Sequence, residues 1–299
     1  MLILTGHPRS GTELLFRLCQ THPDIELTLE SGVFRTLGVP APLFRLSILG
    51  RAWARRRDPI LVARAGQKRR AQQWASHAFM ARIAADVSRR QPGLVTAEDV
   101  GAALYLRWPY ARYVGDKFPD YVFNLGALVA TPAMRTLVIH RDPRDVVASY
   151  LHRLANGWDA IPVFNAYRDA RAIAQRWVLA MQTTAQHRDR MLVLRYDDLV
   201  RQTSSELARI AAYLDIDPAG FDREQPVHAD SVGLYRQRLT PRQSADVEAV
   251  AGDTMTAWGC STHSLTESAW STPVCISICM GPWARQWPVL KTNASVIDR

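Results

Sequence analysis

Leu2-Ile-Leu-Thr-Gly-His-Pro-Arg-Ser-Gly-Thr12 is the stretch on which the fold turns: a short apolar run stops at a glycine-bounded loop, and a helix begins. Set against the phosphate-loop pattern G-x-x-x-x-G-K-[ST], Gly6 and Gly11 fall in place. Thr12, however, stands where the lysine belongs, and Glu13 where the magnesium-binding hydroxyl belongs. The segment keeps an anion cradle and lacks both side chains of metal-assisted phosphoryl transfer. A buried strand ending in such a turn aims backbone N–H groups and the positive end of a helix dipole at one point. Arg9 adds a planar charged fork, and Gly11 lets backbone approach a ligand closely. Leu14, Leu15, Leu18 and Cys19 follow as an apolar stripe suited to packing on a sheet. Alone, the segment is also readable as a plain strand-turn-helix connection with an exposed arginine.

A second segment, Thr136-Leu-Val-Ile-His-Arg-Asp-Pro-Arg-Asp-Val-Val-Ala-Ser-Tyr150, repeats the plan: an apolar strand breaks at Arg141 and a helix starts near Asp145. Ser149 and Arg153, four residues apart, share one helix face, so three donors converge on a doubly charged phosphate. Strand candidates are Leu2 to Thr5, Tyr113 to Asp116, Thr136 to His140 and Met191 to Arg195, with long helical segments between them. Tyr167 to Gln186 reads as a helix, and Thr203 to Leu214 as another with its N-cap at Thr203 or Ser204. Parallel strands joined by crossover helices place ligands at the strands' C-terminal ends, where Arg9, Lys117 and Arg141 all fall.

Pro8-Arg-Ser-Gly-Thr12 followed by Val138-Ile-His-Arg-Asp-Pro-Arg-Asp-Val-Val-Ala-Ser149 resembles the sulfotransferases that use 3'-phosphoadenosine 5'-phosphosulfate (PAPS). The resemblance runs from about Met1 to Gly259 and leans toward the tyrosylprotein sulfotransferases, through His22-Pro23-Asp24 and through Glu30, 21 residues after Arg9. It implies an α/β, P-loop-like three-layer fold with a central, mainly parallel sheet flanked by helices. The first loop (Arg9, Ser10, Gly11, Thr12, Glu13) would hold the 5'-phosphosulfate. Arg141, Ser149 and Arg153 would hold the 3'-phosphate, and Tyr196 in Val193-Leu-Arg-Tyr-Asp-Asp-Leu199 would contact the nucleotide. Gly115-Asp-Lys-Phe-Pro119 would set Lys117 beside the transferring sulfonate, and Glu30 would be the base. Products would be the sulfated acceptor and adenosine 3',5'-bisphosphate.

Two positions depart from that pattern. Glu13 replaces a threonine whose hydroxyl would bind the phosphosulfate, leaving only its backbone N–H to serve. Ser231-Val-Gly-Leu-Tyr-Arg236 resembles a donor-binding stretch in which a basic residue precedes the aromatic, but Leu234 holds that place; Arg236 and Arg238 are the substitutes open.

Sulfuryl transfer suits these residues chemically. The moving SO₃ group carries less charge than a phosphoryl group, so fixed N–H groups, Arg9 and Lys117 can stabilise an in-line transition state, and no metal is expected. A phenol acceptor, with a reference pKa of about 10, needs a base within hydrogen-bond reach, the role for Glu30. The bland alternatives are a surface glutamate after the first helix and a solvated lysine at a strand end. His7 and His140 are read as ordering loops or touching the donor's edge.

The chain has 299 residues, is 47% hydrophobic and carries a formal charge of +9, enough for one large domain, taken as 1–260 with a basic helical insertion at 51–92 and a tail at 261–299. In that insertion Arg51, Arg55, Arg56, Arg57, Arg64, Lys68, Arg69, Arg70, Arg82, Arg89 and Arg90 interleave with Trp53, Trp74 and Phe79. Such a stretch is either a solvated face or a docking site for an anion. With the resemblance, the economical partner is an acidic tyrosine-containing peptide; no nucleic acid and no stable membrane association are expected, and a homodimer stays open. The first strand starts at residue 2 and no run of 18 apolar residues occurs, so the expected location is cytoplasmic and the expected origin bacterial. Cys19, Cys260, Cys275 and Cys279 form no persuasive metal or disulfide framework. A glycan, lipid or small-molecule acceptor, a P-loop NTPase or kinase, and a non-catalytic basic binding module remain the alternatives.

Overall fold

The computed structural model describes residues 1–55, 77–90, 93–159, 167–222 and 225–260. Most of the basic stretch (56–76) and the tail from 261, with Cys275 and Cys279, lie outside them. Five strands form one sheet: β1 (Leu2–Thr5), β2 (Ile25–Leu29), β3 (Tyr113–Lys117), β4 (Arg135–His140) and β5 (Leu192–Arg195). Their order is β2-β3-β1-β4-β5 and every pairing is parallel. Helices connect and cover them: α1 (Thr12–Cys19), α2 (Ala41–Arg55), α3 (His77–Arg90), α4 (Ala97–Tyr105), α5 (Leu125–Val129), α6 (Pro143–Arg153), α7 (Ala170–Ala185), α8 (Tyr196–Arg201), α9 (Thr203–Leu214), α10 (Tyr235–Arg238) and α11 (Pro241–Ala257).

β1 and β4 are short, largely apolar runs because both faces are buried, and alternate side chains feed different layers. Ile3 and Val114 point into a core with Phe34, Phe44, Ile48, Met80 and Val100. Leu2, Leu4, Leu137 and Ile139 face the other way, against Leu15, Leu18, Leu199, Leu207 and Ile210. Val138 packs with Val146, Val147, Trp177 and Val247 in a third cluster. The result is the three-layer α/β fold implied by the resemblance.

Four local readings change. β2 is a strand that the sequence reading leaves as loop: Ile25-Glu-Leu-Thr-Leu29 alternates apolar with polar, as an edge strand does, and pairs with β3 alone. The helix after Arg141 starts at Pro143, where the fixed φ of proline suits the first turn, and Asp142 accepts from the Arg144 N–H at 2.9 Å. Neither Thr203 nor Ser204 caps α9; Gln202 holds the N-cap position without a side-chain bond, and the Thr203 hydroxyl instead donates to the Leu199 carbonyl at 2.8 Å. The helix expected at Tyr167 to Gln186 runs Ala170–Ala185, with Asp169 accepting from the Ala172 N–H at 2.8 Å.

With β1 central, the chain crosses to β2 and β3 on one side and to β4 and β5 on the other. The ends of β1, β3 and β4 therefore open onto one crevice, the place where such sheets bind ligands.

Candidate active site

The loop after β1 owes its shape to backbone. Gly6 (φ 151°) and Gly11 (φ 100°) adopt left-handed conformations, and neither has room for a side chain. A Cβ on Gly6 would lie 2.1 Å from the Ile139 carbonyl oxygen, and one on Gly11 would lie 2.3 Å from the Tyr196 ring. Arg9, between them, is also left-handed at φ 76°. The Ser10 N–H donates to the His7 carbonyl at 3.0 Å, and His7 Nδ1–H donates to the Pro8 carbonyl at 2.8 Å. His7 thus orders the loop. Burial, with the Arg176 charge, holds it well below the usual imidazole range, so it is a neutral ring. Thr12 begins α1, where the first N–H groups have no partner within the helix and Gly11 provides no side-chain cap. Glu13 sits half-buried in that first turn. The Ser10 hydroxyl is buried without a hydrogen bond among the described residues.

This loop reaches the second one directly. Arg9 Nε–H donates to the Ser149 hydroxyl at 3.0 Å, and its guanidinium lies 5.4 Å from the Trp158 ring centre. Arg141, at the end of β4, stacks 4.4 Å over Tyr196, pairs with Asp145 at 3.4 Å and donates to the Ser231 carbonyl. The Tyr196 and Ser231 hydroxyls share a hydrogen bond of 2.6 Å. Arg141 Nε is buried with no hydrogen-bond partner among the described residues. Arg153 stands one turn past Ser149 on α6, and among the described residues it joins neither group by hydrogen bond or ion pair.

Asp145, read in the sequence only as a helix start, fastens the Ser231 segment: its carboxylate accepts from the N–H groups of Gly233 (2.8 Å) and Tyr235 (2.9 Å). The Arg236 guanidinium folds back over that segment, with Nη1 2.4 Å from where a Gly233 Cβ would be.

Lys117 and Glu30 meet across neighbouring strand ends. Leu29 pairs in register with Lys117, so the next residue of the chain lies beside the lysine. Lys117 Nζ donates to Glu30 Oε1 at 2.6 Å; the lysine side chain is 1% exposed and the glutamate 32%. The bland reading of a solvated lysine does not hold, while Glu30 keeps part of its side chain at the surface.

Glu30 is itself left-handed (φ 54°), and the Glu30 N–H donates to the Lys117 carbonyl at 2.6 Å. The following turn rests on Asp116, wholly buried and invisible to motif reading. Its carboxylate accepts from Thr28 Oγ1 (2.6 Å), the Ser31 N–H (3.1 Å), the Gly32 N–H (2.8 Å) and the Tyr121 hydroxyl (2.7 Å). Arg51 holds the same turn from the other side, donating to the Gly32 carbonyl at 2.9 Å. Arg89, another member of the basic stretch, binds Asp86.

His140 packs on Trp258 at 5.0 Å. Burial, with the charges of Arg195 and Arg188, pushes its imidazole down to about 3. Burial pushes the Cys19 thiol up to about 12, so Cys19 is a core residue and no nucleophile. Among the described residues no helix is long and apolar enough to cross a membrane.

Among curated proteins no sequence relative matches. In solved structures, the chain is similar to the sulfotransferase domain from the curacin biosynthetic pathway, at TM-score 0.53 and 14% identity over 85% of this chain and 96% of that one. It is similar also to the sulfotransferase domain from the Synechococcus PCC 7002 olefin synthase, at TM-score 0.51 and 18% identity over 85% of this chain and 94% of that one. At these identities the likeness is one of fold. The model of the Sulfotransferase family matches residues 2–220, most of the length, and the chain therefore belongs to the sulfotransferase family.

Proposed function

We propose that the protein moves the sulfonate of PAPS to an acceptor hydroxyl, with Glu30 as base and Lys117 as the cation at the leaving oxygen. The observation that carries this is the 2.6 Å Lys117–Glu30 pair beside the β1 loop. A glycine-walled cradle, the buried unpartnered Ser10 hydroxyl and the unpartnered Arg141 Nε fit an anionic donor with two phosphate positions. Arg9, Ser10, Gly11, Thr12 and the Glu13 N–H would hold its phosphosulfate. Arg141, Ser149, Arg153, Tyr196 and Ser231 would hold the nucleotide and 3'-phosphate, and Arg236 is the better substitute for the base absent at Leu234.

The acceptor oxygen attacks sulfur as the bond from sulfur to the 5'-phosphate oxygen breaks. The acceptor proton goes to the Glu30 carboxylate, and Lys117 meets the charge left on adenosine 3',5'-bisphosphate. Nothing in these steps calls for a metal.

For the acceptor, a tyrosine in an acidic peptide is the first candidate, supported by the sequence pattern around Arg9, His22 and Glu30. A smaller hydroxyl compound is the second, favoured by the engagement of Arg51 within the fold, which leaves one cation fewer to greet an acidic chain. Transfer of radiolabelled sulfonate from PAPS, without added metal, to acidic tyrosine peptides, sugars and small phenols separates them. Label on peptide tyrosine that Glu30→Gln abolishes supports the first reading; label on a phenol or sugar alone supports the second. Absence of PAPS binding would overturn the donor assignment and return the basic-module alternative.

A further inference from the structure

We infer that Asp116 is a positioning residue for the base: its buried carboxylate shapes the Glu30–Gly32 turn so that Glu30 meets Lys117. The inference rests on Glu30 being the base.

A glutamate in the left-handed region is strained and persists only where its surroundings over-determine it. Here they do. The Glu30 N–H is spent on the Lys117 carbonyl, and the next two N–H groups, of Ser31 and Gly32, both point at Asp116. Thr28, two residues before Glu30 on β2, binds the same carboxylate and also the Ser31 hydroxyl at 2.8 Å. Tyr121 completes the shell and accepts from the Phe34 N–H at 3.0 Å, so the chain on both sides of the turn is tied to one buried group. Asp116 and Lys117 are adjacent on β3 and point to opposite faces of the sheet. One strand end therefore supplies the catalytic cation on one face and the anchor of its partner on the other.

A buried carboxylate is an expensive way to hold a turn. Burial raises the Asp116 carboxyl above its ordinary range, against the pull of the bonds from Thr28, Tyr121, Gly32 and Ser31. Four donors are what such a group requires, and a turn of N–H groups needing an acceptor is what it provides.

The test is Asp116→Asn, which keeps the shape but puts an NH₂ against donors. Two readouts separate the inference from the reading it rests on. The first is independent of activity: amide hydrogen exchange at Ser31 and Gly32 should speed up at least tenfold in Asp116→Asn while β1 and β4 amides hold; unchanged protection would overturn the anchoring role. The second is a double-variant cycle with Glu30→Gln. Asp116→Asn alone should lower kcat about 100-fold, the scale of a misplaced catalytic group, with the affinity for adenosine 3',5'-bisphosphate changed less than threefold. In the Glu30→Gln background it should cost less than threefold in kcat. An equal loss in both backgrounds overturns action through Glu30. Full activity of Glu30→Gln itself would sink the base assignment while leaving the exchange result to stand. Should Asp116→Asn not fold, Thr28→Val removes one of the donors to the Asp116 carboxylate and is held to the same two readouts.

Discussion

The loop after β1 and the turn after β2 end neighbouring parts of one sheet, and they hold their shapes by opposite means. The first is made of backbone: two glycines, close contacts to Ile139 and Tyr196, and short hydrogen bonds within the loop. The second is made of distant side chains, Asp116 and Tyr121 from β3 and beyond and Arg51 from α2. A loop of the first kind is ruined by adding an atom, one of the second kind by removing a group. Local sequence carries the first completely and the second scarcely at all.

The largest effect should come from the pair that joins the ends of β2 and β3. Lys117→Met or Glu30→Gln should each lower kcat by about 10²–10³-fold, the worth of one preorganised charge or base. Because the partners touch, the double variant should lose no more than the worse single one. Additive losses in single-turnover kinetics would mean that the two act separately.

Gly11→Ala tests the rule of the added atom. Its Cβ would strike the Tyr196 ring at 2.3 Å from a φ of 100°, so a loss of roughly 1–3 kcal/mol is expected in chemical unfolding. Tyr196→Leu in the same background should recover part of it. Wild-type stability for Gly11→Ala would disprove the tight cradle.

A third effect is set by pH. The His140 imidazole, held at about 3 against its ordinary 6.5, stays neutral while the unfolded chain takes up a proton. Stability is therefore complete above pH 6.5 and is lost as pH falls toward 3, by about 1.4 kcal/mol per pH unit at most. His140→Phe should flatten the fall of Tm between pH 6.5 and 4, and His7, shifted the same way, should keep some slope. An unaltered acid limb would place the lability elsewhere.

The smallest expected change is a gain. Glu13 brings a carboxylate into the first turn of α1, beside the place proposed for an anionic donor. Glu13→Thr removes that repulsion and adds a hydroxyl, and should tighten adenosine 3',5'-bisphosphate by a few-fold, in line with one hydrogen bond of about 1 kcal/mol. Calorimetric titration showing weaker binding would place the Glu13 carboxylate elsewhere.

Much of this architecture can be read from the chain. β1 and β4 are short, largely apolar runs broken by loops bearing Gly6, Gly11 and Arg141, and their burial on both faces makes them stand out. β2 does not, because Glu26 and Thr28 interrupt it and, as an edge strand, it pairs on one side alone. Missing β2 hides why Glu30 sits beside Lys117, since the two are adjacent only through the register of Leu29. Asp116 stands in the sequence beside Lys117 with no visible role, because its four donors come from positions 28, 31, 32 and 121. Arg51 read as one charge in a basic run and is instead a brace on Gly32.

The contact between Lys117 and Glu30 has a temporal meaning on the proposed reading. A carboxylate that has taken up the acceptor's proton no longer holds an ammonium at 2.6 Å. The cation is then released toward the oxygen that is gaining charge. Arrival of the proton becomes the trigger for help at the departing end, so the two halves of the displacement run on one clock.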